Sequence, residues 1–273
     1  VKIKSFFVIF LLITLLSCSE HKEEGTNDPS LARVIVNNEL VVGVDPSVPP
    51  LSFYSSTGEI RGFEIDVAHA VADKLGVNLK VVPVTRGNRV AQLENRAINY
   101  IASGFVNNKA NAERFLLSTP YLRDALVVVV LQSLDGTVQF SQFSDLRNKR
   151  IGTVNDGEML ETVMESQLYI QNGRRPYPYA QQGSMLIALD HGMLEAAVIN
   201  LLTYYSKISV EKKSYRAIGD PIIITTYSYA FRKEDKELAN AMNIFLDDMA
   251  QDGTLRKISE KWFGVDVSMV GKY

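Results

Sequence analysis

The chain has one cysteine, one tryptophan and three histidines in 273 residues. A single thiol excludes an intramolecular disulfide and any multi-thiolate metal site. His21, His69 and His191 are scattered, with neither metal-ligand spacing nor a cysteine partner, so they read as solvated positions and no metal or other cofactor is expected. An excess of one charge is also lacking: 29 Lys and Arg face 31 Asp and Glu, a net charge of -2 at pH 7. With no basic stripe and no interleaving of basic and aromatic residues, nucleic acid is not an expected partner. Gly-x-Ser-x-Gly, the Walker phosphate loop and His-Glu-x-x-His are all absent, so no standard catalytic motif argues for an enzyme.

Long hydrophobic runs are missing too. Phe6 to Leu16 is apolar over about eleven residues, short of the roughly twenty that cross a bilayer as a helix. It follows Lys2 and Lys4 and ends at Leu15-Leu16-Ser17-Cys18, the order of a secretory signal that closes on a lipid-carrying cysteine. Residues 1–17 are therefore expected to be a lipoprotein signal peptide and Cys18 the lipidation point, with an incidental thiol as the plainer alternative. Several acyl chains on one cysteine hold a protein on a membrane surface where one chain is marginal. Residues 18–33 are polar and charged and read as a flexible tether. About 240 residues remain, enough for one large or two small domains.

Within them, Ile65, Ala68, Val71, Ala72 and Leu75 recur at helical spacing, Glu64 and Asp66 occupy the first turn, and Gly76 suits a left-handed stop. An amphipathic helix is expected from Glu64 to Leu75. The apolar runs Leu40–Val44 and Val77–Val82 flank it, so strand, helix and strand imply a parallel α/β sheet. Arg150–Val154, Glu158–Ser166 and Ala196–Ile199 repeat that plan in a second unit. Ala125–Leu131 is short and β-branched, which predicts a strand crossing between the units, and Ile222–Tyr229 reads as the return. Two crossings make the first lobe discontinuous, 34–127 with 226–273, around a second lobe at 128–225, and they form a hinge. Leu238, Ala241, Met242, Phe245, Leu246 and Met249 give the returning chain a helical apolar face, and Leu255, Ile258 and Trp262 continue that spacing after Gly253-Thr254.

Gly62-Phe-Glu-Ile-Asp-Val-Ala-His-Ala-Val-Ala-Asp-Lys-Leu75 resembles the signature of the family 3 extracellular solute-binding proteins, the amino-acid-type receptors of ABC importers. Ser103-Gly104, Ser118-Thr-Pro-Tyr121 and the closing stretch Asp252–Gly264 extend the resemblance over nearly the whole chain beyond the tether. It implies a two-lobed type 2 periplasmic-binding-protein fold, each lobe a mixed sheet flanked by helices.

The resemblance also implies where a ligand would sit, and there this chain departs. The family's Ser-Gly-x-Thr, which grips a ligand carboxylate, aligns with Ser103-Gly104-Phe105-Val106, so the threonine is missing. Its arginine, which pairs with that carboxylate, falls at Asn111; Arg114 lies about one helical turn further on and reads either as a replacement or as a solvated residue. The carboxylate that binds the ligand ammonium falls at Asn200, in Glu195-Ala-Ala-Val-Ile-Asn200. A helix-start turn that binds anions aligns near Asn155–Met159 and brings in Gly157 and Glu158, whose carboxylate would either repel an anion or simply favour the first turn. The usual aromatic clamp falls at Val48 and about Arg86, leaving Phe53, Phe105 and Tyr227 as candidates, while Asp45 is either a cation or hydroxyl ligand or a loop-capping acid.

Losing two charged partners at roughly 1.5 to 3 kcal/mol each removes about 3 to 6 kcal/mol, two to four decades of affinity. The ligand expected is therefore a small polar solute, amino-acid-like or a derivative, and not an ordinary α-amino acid in the usual pose. The leading expectation is a monomeric, lipid-anchored extracytoplasmic binding protein that closes on its solute and serves an ABC permease. Two alternatives stand beside it: a receptor or accessory lipoprotein with a repurposed cleft, and an enzyme on the same fold, such as a dehydratase of the cyclohexadienyl type or a relative of the binding half of lytic transglycosylases, with Glu158 or Asp45 as the acid.

Overall fold

The computed structural model describes residues 28–132, 139–155 and 158–270. The signal segment, Cys18, most of the tether and Gly157 lie outside the described residues, as does the side chain of Glu158.

The chain begins with helix α1 (Ser30–Asn37) and strand β1 (Glu39–Val44), then a small antiparallel sheet of β2 (Ser47–Val48), β3 (Ser52–Tyr54) and β4 (Ile60–Arg61). Helix α2 (Phe63–Leu75) leads to β5 (Asn78–Pro83), α3 (Arg89–Glu94), β6 (Tyr100–Ile101), α4 (Lys109–Arg114) and β7 (Leu116–Leu117). The long strand β8 (Leu122–Leu131) then enters a second sheet with β9 (Ile151–Val154), helices α5 (Glu158–Met164) and α6 (Gln167–Asn172), β10 (Tyr177–Tyr179), α7 (Gln182–Asp190), β11 (Ala196–Asn200) and α8 (Leu201–Tyr205). The longer strand β12 (Tyr215–Tyr227) returns to β13 (Ala230–Phe231), α9 (Lys236–Gln251) and α10 (Thr254–Phe263).

The first sheet has the order β5-β1-β6-β13-β7, with β1 parallel to both β5 and β6, and the second has the order β10-β9-β11-β8-β12. In the second, β9 runs parallel to β10 and β11, whereas β8 is antiparallel to β11 and to β12. Both crossings thus lie side by side, Tyr227 against Leu122 and Tyr215 against Leu131, with the register broken between Ile218 and Ile223 where Gly219 and Pro221 interrupt the strand. The return strand expected at Ile222–Tyr229 is consequently longer and starts earlier than its apolar residues suggest.

Apolar burial divides along the same lines. Around the first sheet, Val42, Phe63, Val67, Val71, Phe231, Met242, Leu246 and Phe263 form one cluster. The second sheet separates Val129, Met185, Leu189 and Ile199 on one face from Val128, Val163, Leu168 and Val198 on the other, the alternation expected of strands covered on both sides. Leu202 and Tyr205 of α8, although within 128–225, pack with the first-sheet cluster.

At the start of α2, Gly62 holds φ at +142°, and a Cβ there would lie 2.2 Å from the Leu51 carbonyl oxygen. Only glycine permits this approach, which lets Phe63 and Glu64 donate their amides to the Pro50 and Leu51 carbonyls.

Candidate ligand cleft

In open α/β sheets the carboxyl ends of the strands are where ligands bind. β1 delivers Asp45 to that edge of the first sheet, and β6 delivers Ser103 and Gly104. In the second sheet β9 delivers Asn155 and β11 ends on Asn200. Strands β8 and β12 both belong to the second sheet, and their paired ends Leu122 and Tyr227 are where the chain passes from and back to the elements of the first sheet.

Ser103 and Gly104 hold φ at +66° and +69°, two consecutive left-handed residues. This turns both amides toward Glu64, whose carboxylate also accepts the Tyr121 hydroxyl and, at 3.0 Å, that of Tyr229. Glu64 is 1% exposed. Burial pushes its carboxyl up to about 7, against the opposing pull of these four donors. The signature acid, expected as a favourable charge in the first turn of α2, is also a buried anchor beneath the candidate ligand loop.

The hydroxyl of Ser103 is also committed. Ser52 donates its hydroxyl proton to the Asp45 carbonyl at 2.6 Å, so in the 2.6 Å contact between Ser52 and Ser103 the proton comes from Ser103. Ser103 Oγ in turn accepts the Asp45 amide at 3.2 Å. With its one proton engaged, it has only acceptor capacity to offer a ligand. Asp45 folds back on its own turn, its carboxylate accepting the Ser47 amide at 3.0 Å and hydroxyl at 2.6 Å, the arrangement of a loop-capping acid.

Other expected site residues are drawn into packing. Phe105 is 2% exposed, edge-on to Phe115 at 5.4 Å and beneath the Arg89 guanidinium at 4.8 Å. Phe53 meets Trp262 of α10 edge-on at 5.7 Å. Asn111 donates its side-chain amide to the Val106 carbonyl at 2.7 Å. Val106 bridges to Tyr227, joining this loop to the return crossing. Arg114 pairs with Glu94 at 2.7 Å on the exposed face of α4, the arrangement of a solvated residue. Arg86 is exposed, and its charge acts on the Tyr227 hydroxyl.

What the sequence did not disclose is Asp124. It lies near the Leu122 end of β8, 1% exposed, and its carboxylate receives four donors. Oδ1 accepts the amides of Ala125 at 2.8 Å and Leu202 at 3.2 Å; Oδ2 accepts the Tyr227 hydroxyl at 2.7 Å and the Asn200 side-chain amide at 2.9 Å. Burial raises its carboxyl above the ordinary value, opposed first by Tyr227 and then by the two backbone amides and Asn200. Both crossings and the end of β11 thus meet on one carboxylate. The signal available in the sequence was an acid directly preceding seven consecutive apolar residues, Ala125 to Leu131. Nearby, Thr203 of α8 donates to the Pro49 carbonyl at 3.4 Å, bringing α8 against the turn of the small sheet.

The family described as bacterial extracellular solute-binding proteins, family 3, matches residues 40–265. The L-cystine-binding protein TcyJ of Escherichia coli K12 is 26% identical over 257 residues, which cover 94% of this chain and 93% of that protein. The ABC transporter arginine-binding protein 1 of the same strain is 26% identical over 231 residues, covering 81% and 89%. Among solved structures, Tv2483 bound to L-arginine is 28% identical with a TM-score of 0.70, covering 89% of this chain and 97% of that one. An ancestral cationic amino acid solute binding protein is similar in fold, with a TM-score of 0.77 at 24% identity over 86% and 99%.

Proposed function

Since the chain belongs to the bacterial extracellular solute-binding proteins, family 3, we propose that it is a lipid-anchored extracytoplasmic receptor that captures a small amino-acid-like solute and delivers it to an ABC permease. Cys18 would carry the lipid, and residues 34–127 with 226–273 would close on 128–225 as two lobes. The observation that carries this reading is the junction at Asp124, where both crossings and the carboxyl end of β11 meet beside the Ser103-Gly104 loop. A solute touching both sheet edges there favours the arrangement that brings them together, and differential affinity for that state drives closure.

The recognition chemistry proposed is atypical. At the positions aligned with the family's carboxylate partners, Asn111 is tied to Val106, Arg114 to Glu94, and the Ser103 and Gly104 amides to Glu64. These same commitments favour, as a second reading, an accessory receptor with a repurposed cleft. The dehydratase alternative gains nothing from Asp45, whose carboxylate is engaged by Ser47.

Calorimetric titration of the protein, freed of endogenous solute by unfolding and refolding, with arginine, cystine, histidine and the remaining amino acids tests the reading. Binding accompanied by a smaller radius of gyration in solution scattering supports capture by closure. Absence of binding across the panel and across simple amines transfers support to the accessory reading.

A further inference from the structure

The aligned ligand acid of this chain is an asparagine, yet the structure places a full carboxylate directly behind it. Asp124 Oδ2 can only accept while the acid is ionised, and it faces the Asn200 side chain at 2.9 Å, so the –NH2 edge of that amide is turned toward Asp124. Three further donors, two of them backbone amides that cannot be reversed, fill the remaining acceptor sites of Asp124 and hold it in place. The orientation of Asn200 is fixed as a result, and its Oδ1 becomes the atom presented elsewhere. Although Asn200 precedes α8, its side chain makes no capping hydrogen bond to that helix, and among the described residues no donor to Oδ1 is present.

The other polar group of the ligand loop points to the same ligand chemistry. Ser103 Oγ has spent its proton on Ser52 and retains only acceptor capacity. An acceptor-only hydroxyl and an amide oxygen backed by a buried negative charge complement a donor of hydrogen bonds that carries positive charge.

We propose that Asp124 and Asn200 act as one recognition unit for a cationic nitrogen, a protonated amine or guanidinium, with Asn200 Oδ1 accepting its N–H and Asp124 orienting that amide and supplying the charge, so that a ligand α-carboxylate is not required. The proposal rests on the solute-binding reading above and names the ligand class of that site. Asp124 acts through Asn200 and is a positioning residue, since all its acceptor sites are occupied within the protein. A buried carboxylate and the amide that donates to it are coupled, and truncating one member changes affinity through the polar group left without a partner.

The probes are L-arginine and agmatine, which is arginine without its α-carboxyl group. The unit predicts that agmatine binds within about tenfold of arginine. In Asp124→Asn the charge is lost and the Asn200 amide is free to reverse, presenting –NH2 outward, and affinity for both probes falls by about tenfold or more. The double variant Asp124→Asn with Asn200→Asp exchanges the two groups, restores one carboxylate facing one amide, and recovers most of the affinity. Because a carboxylate at position 200 attracts a cation by itself, the recovery is read against Asn200→Asp alone: coupling between the two positions in the double-mutant cycle supports the unit and additive effects overturn it. Thermal melting of each variant identifies one that fails to fold, in which case the comparison of agmatine with arginine in the parent protein decides. Arginine binding without agmatine binding overturns the inference, assigns the carboxylate to a cation such as Arg86 and leaves the solute-binding reading intact. Unchanged affinity in Asp124→Asn also overturns it. Failure of arginine, agmatine and every amino acid to bind overturns the reading and the inference together.

Discussion

Tyr229 donates its hydroxyl to Glu64 across 165 residues of chain, at 3.0 Å and out of contact with water. The same carboxylate holds the Ser103 and Gly104 amides, so the acid of the helix signature and the candidate ligand loop share one set of hydrogen bonds. Stacking of Tyr121 on Tyr229, with centroids 4.1 Å apart, closes this nest from the side.

Stability should fall as pH rises through the range set by Glu64. Its carboxyl moves from an ordinary 4.5 to about 7 in the fold. The folded state therefore holds the proton that the unfolded chain releases, so this contribution is fully present below about 4.5 and lost as pH rises through about 7, at most about 3 kcal/mol in all. Urea unfolding between pH 4.5 and 8 measures the slope, and Glu64→Gln is expected to flatten it. An unchanged slope in that variant would assign the effect to other groups.

Gly62→Ala is expected to destabilise the protein by about 2 to 4 kcal/mol. Its methyl group would occupy the position of the Leu51 carbonyl at a backbone angle that alanine avoids. A melting temperature equal to that of the parent protein would show that the turn can be rebuilt at little cost.

Arg114→Ala should leave ligand affinity unchanged within about twofold, because its guanidinium pairs with Glu94 and lies over the Phe115 ring on the outside of α4. An exposed pair of this sort contributes at most about 1 kcal/mol to stability. A large loss of affinity in calorimetry would place Arg114 back among the ligand's partners.

Asn111→Ala removes the donor that secures the Val106 carbonyl at 2.7 Å, and a cost of about 1 kcal/mol is expected. Faster amide exchange at Val106 and Asn107 is the accompanying sign, since the loop loses its internal tie. Hydrogen exchange followed by mass spectrometry resolves the effect from global unfolding.

Periodicity made much of the scaffold legible. The helix expected from Glu64 is Phe63–Leu75, and the strand expected over Ala125–Leu131 lies within β8. These elements follow from local patterns of apolar residues, which sequence displays directly. Donor counting is not local, and there the sequence was mute. It placed the Ser103 hydroxyl in the candidate ligand loop but did not show that Ser52, 51 residues away, takes its proton. It showed an uncharged residue at position 200 but not the acid contributed by position 124 from another strand. Aromatic residues misdirect for the same reason: Phe105 and Phe53 are large and near the ligand loops in sequence, but each is fastened to a partner ring, Phe115 and Trp262, that only the fold brings into reach.

Strands β8 and β12 enter and leave the second sheet side by side. They pair with each other on both sides of the break between Ile218 and Ile223, from Leu122–Tyr227 to Leu131–Tyr215, so the closure proposed above would bend them together as one ribbon about one axis. A group on such an axis travels little while distant contacts sweep through wide arcs. Asp124, fastened to both strands of the ribbon through the Ala125 amide and the Tyr227 hydroxyl, would then lie at the fulcrum of the proposed closure. An anchor at the fulcrum is in place before the jaws move, so the solute would be held first and enclosed afterwards, and mutations far from the axis would alter residence time more than first capture.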